Sequence, residues 1–525
     1  MKKFKRALSA VAACLILGSS MVTFTGCSGT GETIVLRVCN WEEYIDLGDW
    51  GEDELIDIEN PFGEEGNEGI IGTNAIEDDF TEWFNATHDY KVKVEYSTFG
   101  TNEDLYNRLS LGDVYDLVCP SDYMLMKLIA EGNYVEYSQD FWNTDIKENY
   151  YANYVSSYID GADGSIFNDY EWHGLAACYM WGTLGLVYNP EKLVNAEDVS
   201  TWKILLNENY KKQVTIKDNV RDAYFATLGI INGDKLLAPD ITAEEYSNLM
   251  NATDSETIAA AEDILKQIKD NVYSFETDSG KADMVTGKVI ANEQWSGDAV
   301  AIMDNAENDK NNPTELWYSV PEECTNIWFD GWLKLKNGVE WSDERHEAAE
   351  AFVNFLSRPD NAVRNMYYIG YTSAIAGDTV FDYMEWNYGA EEADEIQTID
   401  YDVSYFFGNL SDDRQAVIQT DSCNFEIDAD GSINRGRQLF AQYPPQNVKD
   451  RSVVMLDFGD RLADINQMWI NVRCLDAKDI SPVTIGVIAG AIVLISAAIL
   501  LYVFRYRIFI KYRPKKGYRL VETND

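Results

Sequence analysis

The chain has 525 residues, too long for one ordinary domain and long enough for two large ones. Hydrophobic residues make up 46%, which excludes a wholly disordered chain. Acidic residues number 89 against 42 basic, a formal charge of -47. That field repels phosphate backbones, so no nucleic-acid partner is expected and a cationic ligand is favoured.

The elements follow in chain order. Residues 2–6 (KKFKR) are a positive start and 7–22 an apolar run, followed by Phe24, Thr25, Gly26 and Cys27. This resembles a bacterial lipoprotein signal peptide over residues 1–26, with cleavage before Cys27, lipid on its thiol and a linker over 27–33. A simple cleaved signal, with Cys27 incidental, is the plainer alternative. Residues 33–39 form a strand ending at Asn40 and Trp41. Residues 46–74 are acidic and Gly-rich and read as a surface excursion. A helix is predicted over 76–87, a strand over 91–96, a helix over 102–111, a strand over 114–119 and a helix over 124–131. Further on, strands are predicted over 184–188, 214–216, 289–293 and 331–336. Helices are predicted over 202–206, 221–231, 255–270 and 342–356. Residues 376–450 are polar with weak periodicity and read as a long insertion of poorly defined structure. The alternation of strands and helices implies an α/β fold with largely parallel sheets. Ligands in such sheets sit beyond the carboxyl ends of the strands. Trp41, Glu43, Tyr44, Ser121, Tyr123 and Asp222 fall at or just past those ends.

Residues 482–504 carry no charge, enough to cross a bilayer as one transmembrane helix. Arg505, Arg507, Lys511, Arg513, Lys515, Lys516 and Arg519 follow, which puts the tail 505–525 in the cytoplasm and the body outside. Removing both basic ends leaves a body with a charge of about -56. Eight cysteines stand at 14, 27, 39, 119, 178, 324, 423 and 474, with no CxxC pair and no metal-ligand spacing to His88, His173 or His346. No metal site or cofactor is expected, and free buried thiols are the plain reading of the body cysteines. The acidic stretches 46–79 and 424–432 do not fit a calcium loop. GxSxG, P-loop and HExxH motifs are absent from the sequence.

The segments VLRVCNWEEYI (35–45), VEYSTFGTNEDLYNRL (94–109) and YDLVCPSDYMLMKLIAEGNYV (115–135) resemble the first lobe of spermidine/putrescine-binding proteins. So do MWGTLGLVYNP (180–190), KDNVRDAYFATL (217–228), ANEQWSGDAVAIM (291–303), WFDGWLKLK (328–336), AFVNFLSRPDNA (351–362) and IGYTSA (369–374), in the family's order. That family supplies the substrate-binding components of ABC polyamine importers. The resemblance implies a two-lobed periplasmic-binding-protein fold (type II), with the ligand in the cleft between lobes and no bond chemistry. It implies a first lobe over 34–183 and 329–365. The second lobe then covers 184–328 and 366–475, with the insertion at about 376–450. It further implies a polyamine ligand and a partner ABC permease with its cytoplasmic ATPase.

The family pocket is an aromatic box with acidic ends. The matching residues here are Trp41, Glu43, Tyr44, Ser121, Tyr123, Asp222, Trp295, Trp328, Asp330 and Tyr371. Glu42 stands where a small polar residue is common. Asn219 stands where an acid is common, with Asp218 beside it. The chemistry suits a polyamine: rings flank methylenes and attract ammoniums, and carboxylates accept charge-assisted hydrogen bonds. A sensor of polyamines or other organic cations, acting through a membrane partner, is the alternative. A hydrolase using Glu42 and Glu43 is a poorer one, since neighbours on a strand point to opposite faces.

Overall fold

The computed structural model describes residues 33–474 apart from 49, 51–55, 57–59, 63–73, 161–164, 167–169, 171, 278 and 391–396, together with 490–491, 493–500 and 502. The expected signal peptide, Cys27 and the basic tail lie outside the described residues. The expected span 482–504 is described only at 490–491, 493–500 and 502, all helical. Among the described residues no helix is long and apolar enough to cross a membrane.

The strands are β1 (Ile34–Trp41), β2 (Val92–Phe99), β3 (Leu117–Val118), β4 (Ala176–Tyr188), β5 (Val214–Lys217), β6 (Ser274–Glu276), β7 (Ala291–Trp295) and β8 (Trp317–Ser319). They continue as β9 (Thr325–Lys334), β10 (Thr372–Ser373), β11 (Thr398–Asp402), β12 (Val417–Asp421), β13 (Phe425–Ile427), β14 (Ile433–Gly436) and β15 (Ser452–Val453). Parallel pairing joins β1 to β2 and β3, and joins β5 to β6 and β7. The long strands β4 and β9 depart from the expected parallel sheet. They pair antiparallel from Ala176↔Leu333 to Thr183↔Ile327. Every residue of both is buried. The second half of β4, from Leu184, pairs antiparallel with β7, and its last three residues also pair with β8. The end of β9 pairs with β3. Thus β9 joins the β1–β3 group through β3, β4 joins the β5–β7 group through β7, and the pairing of β4 with β9 ties the two groups together.

Apart from residues 202–206, helices form where they are predicted. In Ile76–Thr87 the buried Ile76, Phe80 and Phe84 recur every four residues on one face. Helix Asn102–Leu111 begins at Thr101, whose hydroxyl accepts from Asp104 N, and stops at Gly112 in the left-handed region. Residues 202–206 form a 3-10 turn rather than an α-helix; the Trp202 indole donates to the Cys324 carbonyl at 3.0 Å. Cys39, Cys119, Cys178 and Cys324 are free buried thiols, while Cys423 is free and exposed.

Two expectations change. Residues 376–450 are well built where described: helix Asp378–Tyr388, the β11–β12 hairpin and the β13–β14 pair, which extends the main sheet through β8. Its anchors are aromatic rings at irregular spacing. Phe406 stacks on Trp181 at 5.6 Å, and Tyr401 stacks on Phe425 at 5.2 Å. Irregular spacing hides such anchors from periodicity. The excursion after residue 45 also has a buried root. Asp46 is fully buried and bonded to Arg364 Nε at 2.9 Å, with a second Arg364 nitrogen 2.8 Å from Asp79. Removing one partner of a buried pair leaves an uncompensated charge. Arg364→Met is therefore expected to cost about 3–5 kcal/mol, read as a lower midpoint in urea denaturation.

Candidate functional site

The carboxyl end of β1, the start of helix Asp122–Ala130 and the middle of β9 meet at Asp330. Asp330 is 5% exposed. Tyr44 Oη donates to Oδ2 and Ser121 Oγ to Oδ1, each at 2.7 Å. Burial pushes the Asp330 carboxyl up to about 6, against the hydrogen bonds from Tyr44, Ser121 and Trp41 that favour its charged form. Tyr44 is raised far above the usual phenol range by burial and then by Asp330. Asp122, also buried, sits close enough to feel Asp330 and is pushed well up by burial.

Around this carboxylate the rings pack edge to face. The Tyr44 and Tyr371 centroids lie 5.1 Å apart, and those of Tyr371 and Trp328 5.6 Å. Two glycines make the space. A Cβ on Gly297 would fall 2.2 Å from the Tyr371 ring, and one on Gly182 would fall 2.6 Å from Trp328. Trp328 Nε1 is buried without a hydrogen-bond partner. Trp41 packs on Phe99 with centroids 4.7 Å apart.

A second group stands at the ends of β5 and β7. Trp295 ends β7, and Asp222 opens helix Val220–Leu236. Asp222 is 4% exposed, and its Oδ2 has no partner. Burial pushes it up to about 6, against the pull of Lys217. Glu293 on β7 is fully buried; its Oε2 accepts from Lys217 N at 2.9 Å and its Oε1 has no partner. Burial first, then the nearby Asp222, pushes Glu293 up to about 8. Tyr123 Oη accepts from Asn102 Nδ2 at 2.8 Å.

Apart from Trp41, packed on Phe99, and Asn219, the expected residues fall into three sets. Tyr44, Ser121, Trp328, Asp330 and Tyr371 form one contact network. Asp222 and Trp295 stand at the second strand ends, and Arg221 on the same helix as Asp222 stacks on Tyr123 of helix Asp122–Ala130; Asp298, held by Lys281 and Lys217 and then by Tyr371, links the two. Glu42 and Glu43 stand apart on the exposed turn after β1, Glu43 at φ 53°. Asn219 caps helix Val220–Leu236, its side chain accepting from Arg221 N at 2.8 Å, which is structural use.

Two cations escaped the sequence reading. Lys217 Nζ lies 4.0 Å from the Trp295 ring centroid. Arg221 Cζ lies 3.5 Å from the Tyr123 centroid and 4.1 Å from that of Phe458. Their signal was positional: both lie in KDNVRD, one at the end of β5 and one in the first turn of the next helix. Among the described residues no cluster of His, Cys, Asp and Glu gathers as a metal site.

Buried carboxylates thus gather among aromatic rings where the two groups of strands converge. The chain belongs to the bacterial extracellular solute-binding proteins, matching that family over residues 79–377. It is a substrate-binding protein and not an enzyme. It is 27% identical over 283 residues to the putrescine-binding periplasmic protein SpuD of Pseudomonas aeruginosa, covering 52% of this chain and 69% of that one. It is 26% identical over 291 residues to the spermidine/putrescine-binding periplasmic protein of Salmonella typhimurium, covering 54% and 71%. Among solved structures, the spermidine/putrescine ABC transporter substrate-binding protein PotD of Streptococcus pneumoniae superposes with a TM-score of 0.52 at 20% identity, over 84% of this chain and 99% of that one. The TpPotD lipoprotein of Treponema pallidum gives 0.51 at 14% identity, over 84% and 99%. The fold is thus the mixed α/β periplasmic-binding-protein fold.

Tyr44 donates to the charged form of Asp330, so losing that bond disfavours ionisation. Tyr44→Phe is expected to move the Asp330 titration midpoint above about 6, followed by carboxyl carbon NMR across pH 4–9.

Proposed function

We propose that the protein captures a polyamine, putrescine or spermidine, in a cleft between two lobes and delivers it to an ABC permease with its ATPase. The observation that carries this reading is Asp330. A carboxylate buried among Tyr44, Tyr371 and Trp328 is costly without a cation. An ammonium supplies the missing charge, and the rings cover the methylenes beside it. Trp41, Tyr123 and Trp295 extend the aromatic lining, Asp222 is a second buried acid that faces Lys217, and Glu43 supplies an acid at the exposed rim. The names of the relatives point to the same ligand class. Two lobes joined by β4 and β9 close on the ligand by a hinge.

In this reading lipid on Cys27 and a helix over 482–504 hold the body at the outer membrane surface. The second anchor keeps the receptor beside its permease and raises effective concentration. Deleting residues 482–525 is expected to lower polyamine uptake at equal receptor level; unchanged uptake removes the anchor's role.

Asp330→Asn replaces a charge-assisted contact by a neutral one, worth about 1.5–3 kcal/mol. It is expected to weaken amine binding roughly tenfold to a hundredfold by calorimetry. Trp328→Ala removes one ring and weakens binding about threefold to thirtyfold. Wild-type affinity in both variants contradicts the site. The pH dependence has a definite sign. A cation binds the ionised carboxylate, and Asp330 and Asp222 titrate near 6. Affinity is therefore level above pH 7 and falls about tenfold per required carboxylate between pH 7 and 5.

A further inference from the structure

The second group of site residues already contains an ammonium. Lys217 ends β5, and its side chain is fully buried. Its Nζ lies 4.0 Å from the centre of the Trp295 ring and 3.7 Å from Asp298 Oδ2, and donates to the Thr277 carbonyl at 3.3 Å. Lys281 Nζ takes the other oxygen of Asp298 at 2.8 Å. A ring attracts a cation over its face, and a carboxylate beside two ammoniums has little attraction left for a third. The Trp295 and Asp298 end of the site is thus filled by the protein's own cations, and the buried Asp222 there already faces Lys217. The Asp330 end is different. Among the described residues the groups that hydrogen-bond it, the hydroxyls of Tyr44 and Ser121 and the indole of Trp41, are all neutral, so no cation compensates its charge there.

We propose that Lys217 is a specificity-determining residue that confines ligand ammonium to the Asp330 end and selects a diamine over a longer triamine. The inference rests on the polyamine reading of this site. A diamine sets one ammonium at Asp330 and leaves the other toward the exposed turn of Glu43. A triamine lying across the site brings a further ammonium against Lys217, and like charges at close range in a buried setting repel strongly. Discrimination then comes from a built-in repulsion rather than from an added contact. Asn219 fits this division, because its side-chain oxygen is spent on the Arg221 amide and offers no charge to a second ammonium.

The test is calorimetric titration of the detergent-solubilised full chain with putrescine and with spermidine. Wild type, Lys217→Met and Lys217→Arg are compared, with folding checked by circular dichroism. Wild type is expected to bind putrescine more tightly than spermidine. Lys217→Met is expected to shift the ratio of the two dissociation constants toward spermidine by at least fivefold, while Lys217→Arg, which keeps the charge, shifts it by less. A shift below fivefold in Lys217→Met, or an equal shift in Lys217→Arg, overturns the proposal. If Lys217→Met does not fold, wild type decides: a preference for putrescine supports the proposal and a preference for spermidine overturns it. Binding of neither amine by wild type is a separate outcome, which overturns the polyamine reading and this inference with it.

Discussion

Burying a carboxylate without a cation is the constraint around which this site is arranged. Asp330 lies in the middle of a strand whose ten residues are all buried, so water cannot solvate its charge. Two hydroxyls are donated to it, which lowers the cost without removing it. Its carboxyl accordingly sits at about 6 and not near 4. A protein that holds an acid in this condition near neutral pH gains free energy when an external cation arrives. The edge-to-face cluster of Tyr44, Tyr371 and Trp328 keeps that place dry and lines it with ring faces and edges.

The topology explains how such distant residues meet. Trp41, Ser121 and Asp330 are far apart in sequence, yet β1, β3 and β9 are successive neighbours in one sheet once the short β3 lies between the other two. Trp295 reaches the same region because β7 pairs with the second half of β4, and β4 pairs with β9 along its first half. The two long antiparallel strands thus tie both groups of site residues to one frame. Gly182 on β4 and Gly297 after β7 leave the room that the Trp328 and Tyr371 rings fill.

Much of this was legible in the sequence. Strand ends carrying Trp41, Tyr44, Ser121, Tyr123 and Asp222 could be read from apolar runs that stop at polar and aromatic residues. The family segments added Trp295, Trp328, Asp330 and Tyr371. What stayed hidden depends on side-chain direction and on pairing between remote strands. Glu43 reads as a box acid in the sequence, and what the sequence hides is the positive φ there that sets it on the exposed turn. Asn219 looked like a lost ligand acid and serves as a helix cap. Lys217 looked like one more charge in an acidic chain, because only folding brings Trp295 and Asp298 around it. The antiparallel β4–β9 pair was hidden for the same reason: strand direction in a sheet is set by the connections, not by local pattern. The aromatic anchors of 376–450 follow no period and so read as loop.

The most direct test of the buried-carboxylate account compares putrescine with 1,4-butanediol, which has the same methylene spacer and no charge, by calorimetric titration of the full chain at pH 7.5. The account predicts saturable one-to-one binding of the diamine, weakened when Asp330 is neutralised, and no measurable binding of the diol. Equal binding of both, or binding of neither, would contradict it.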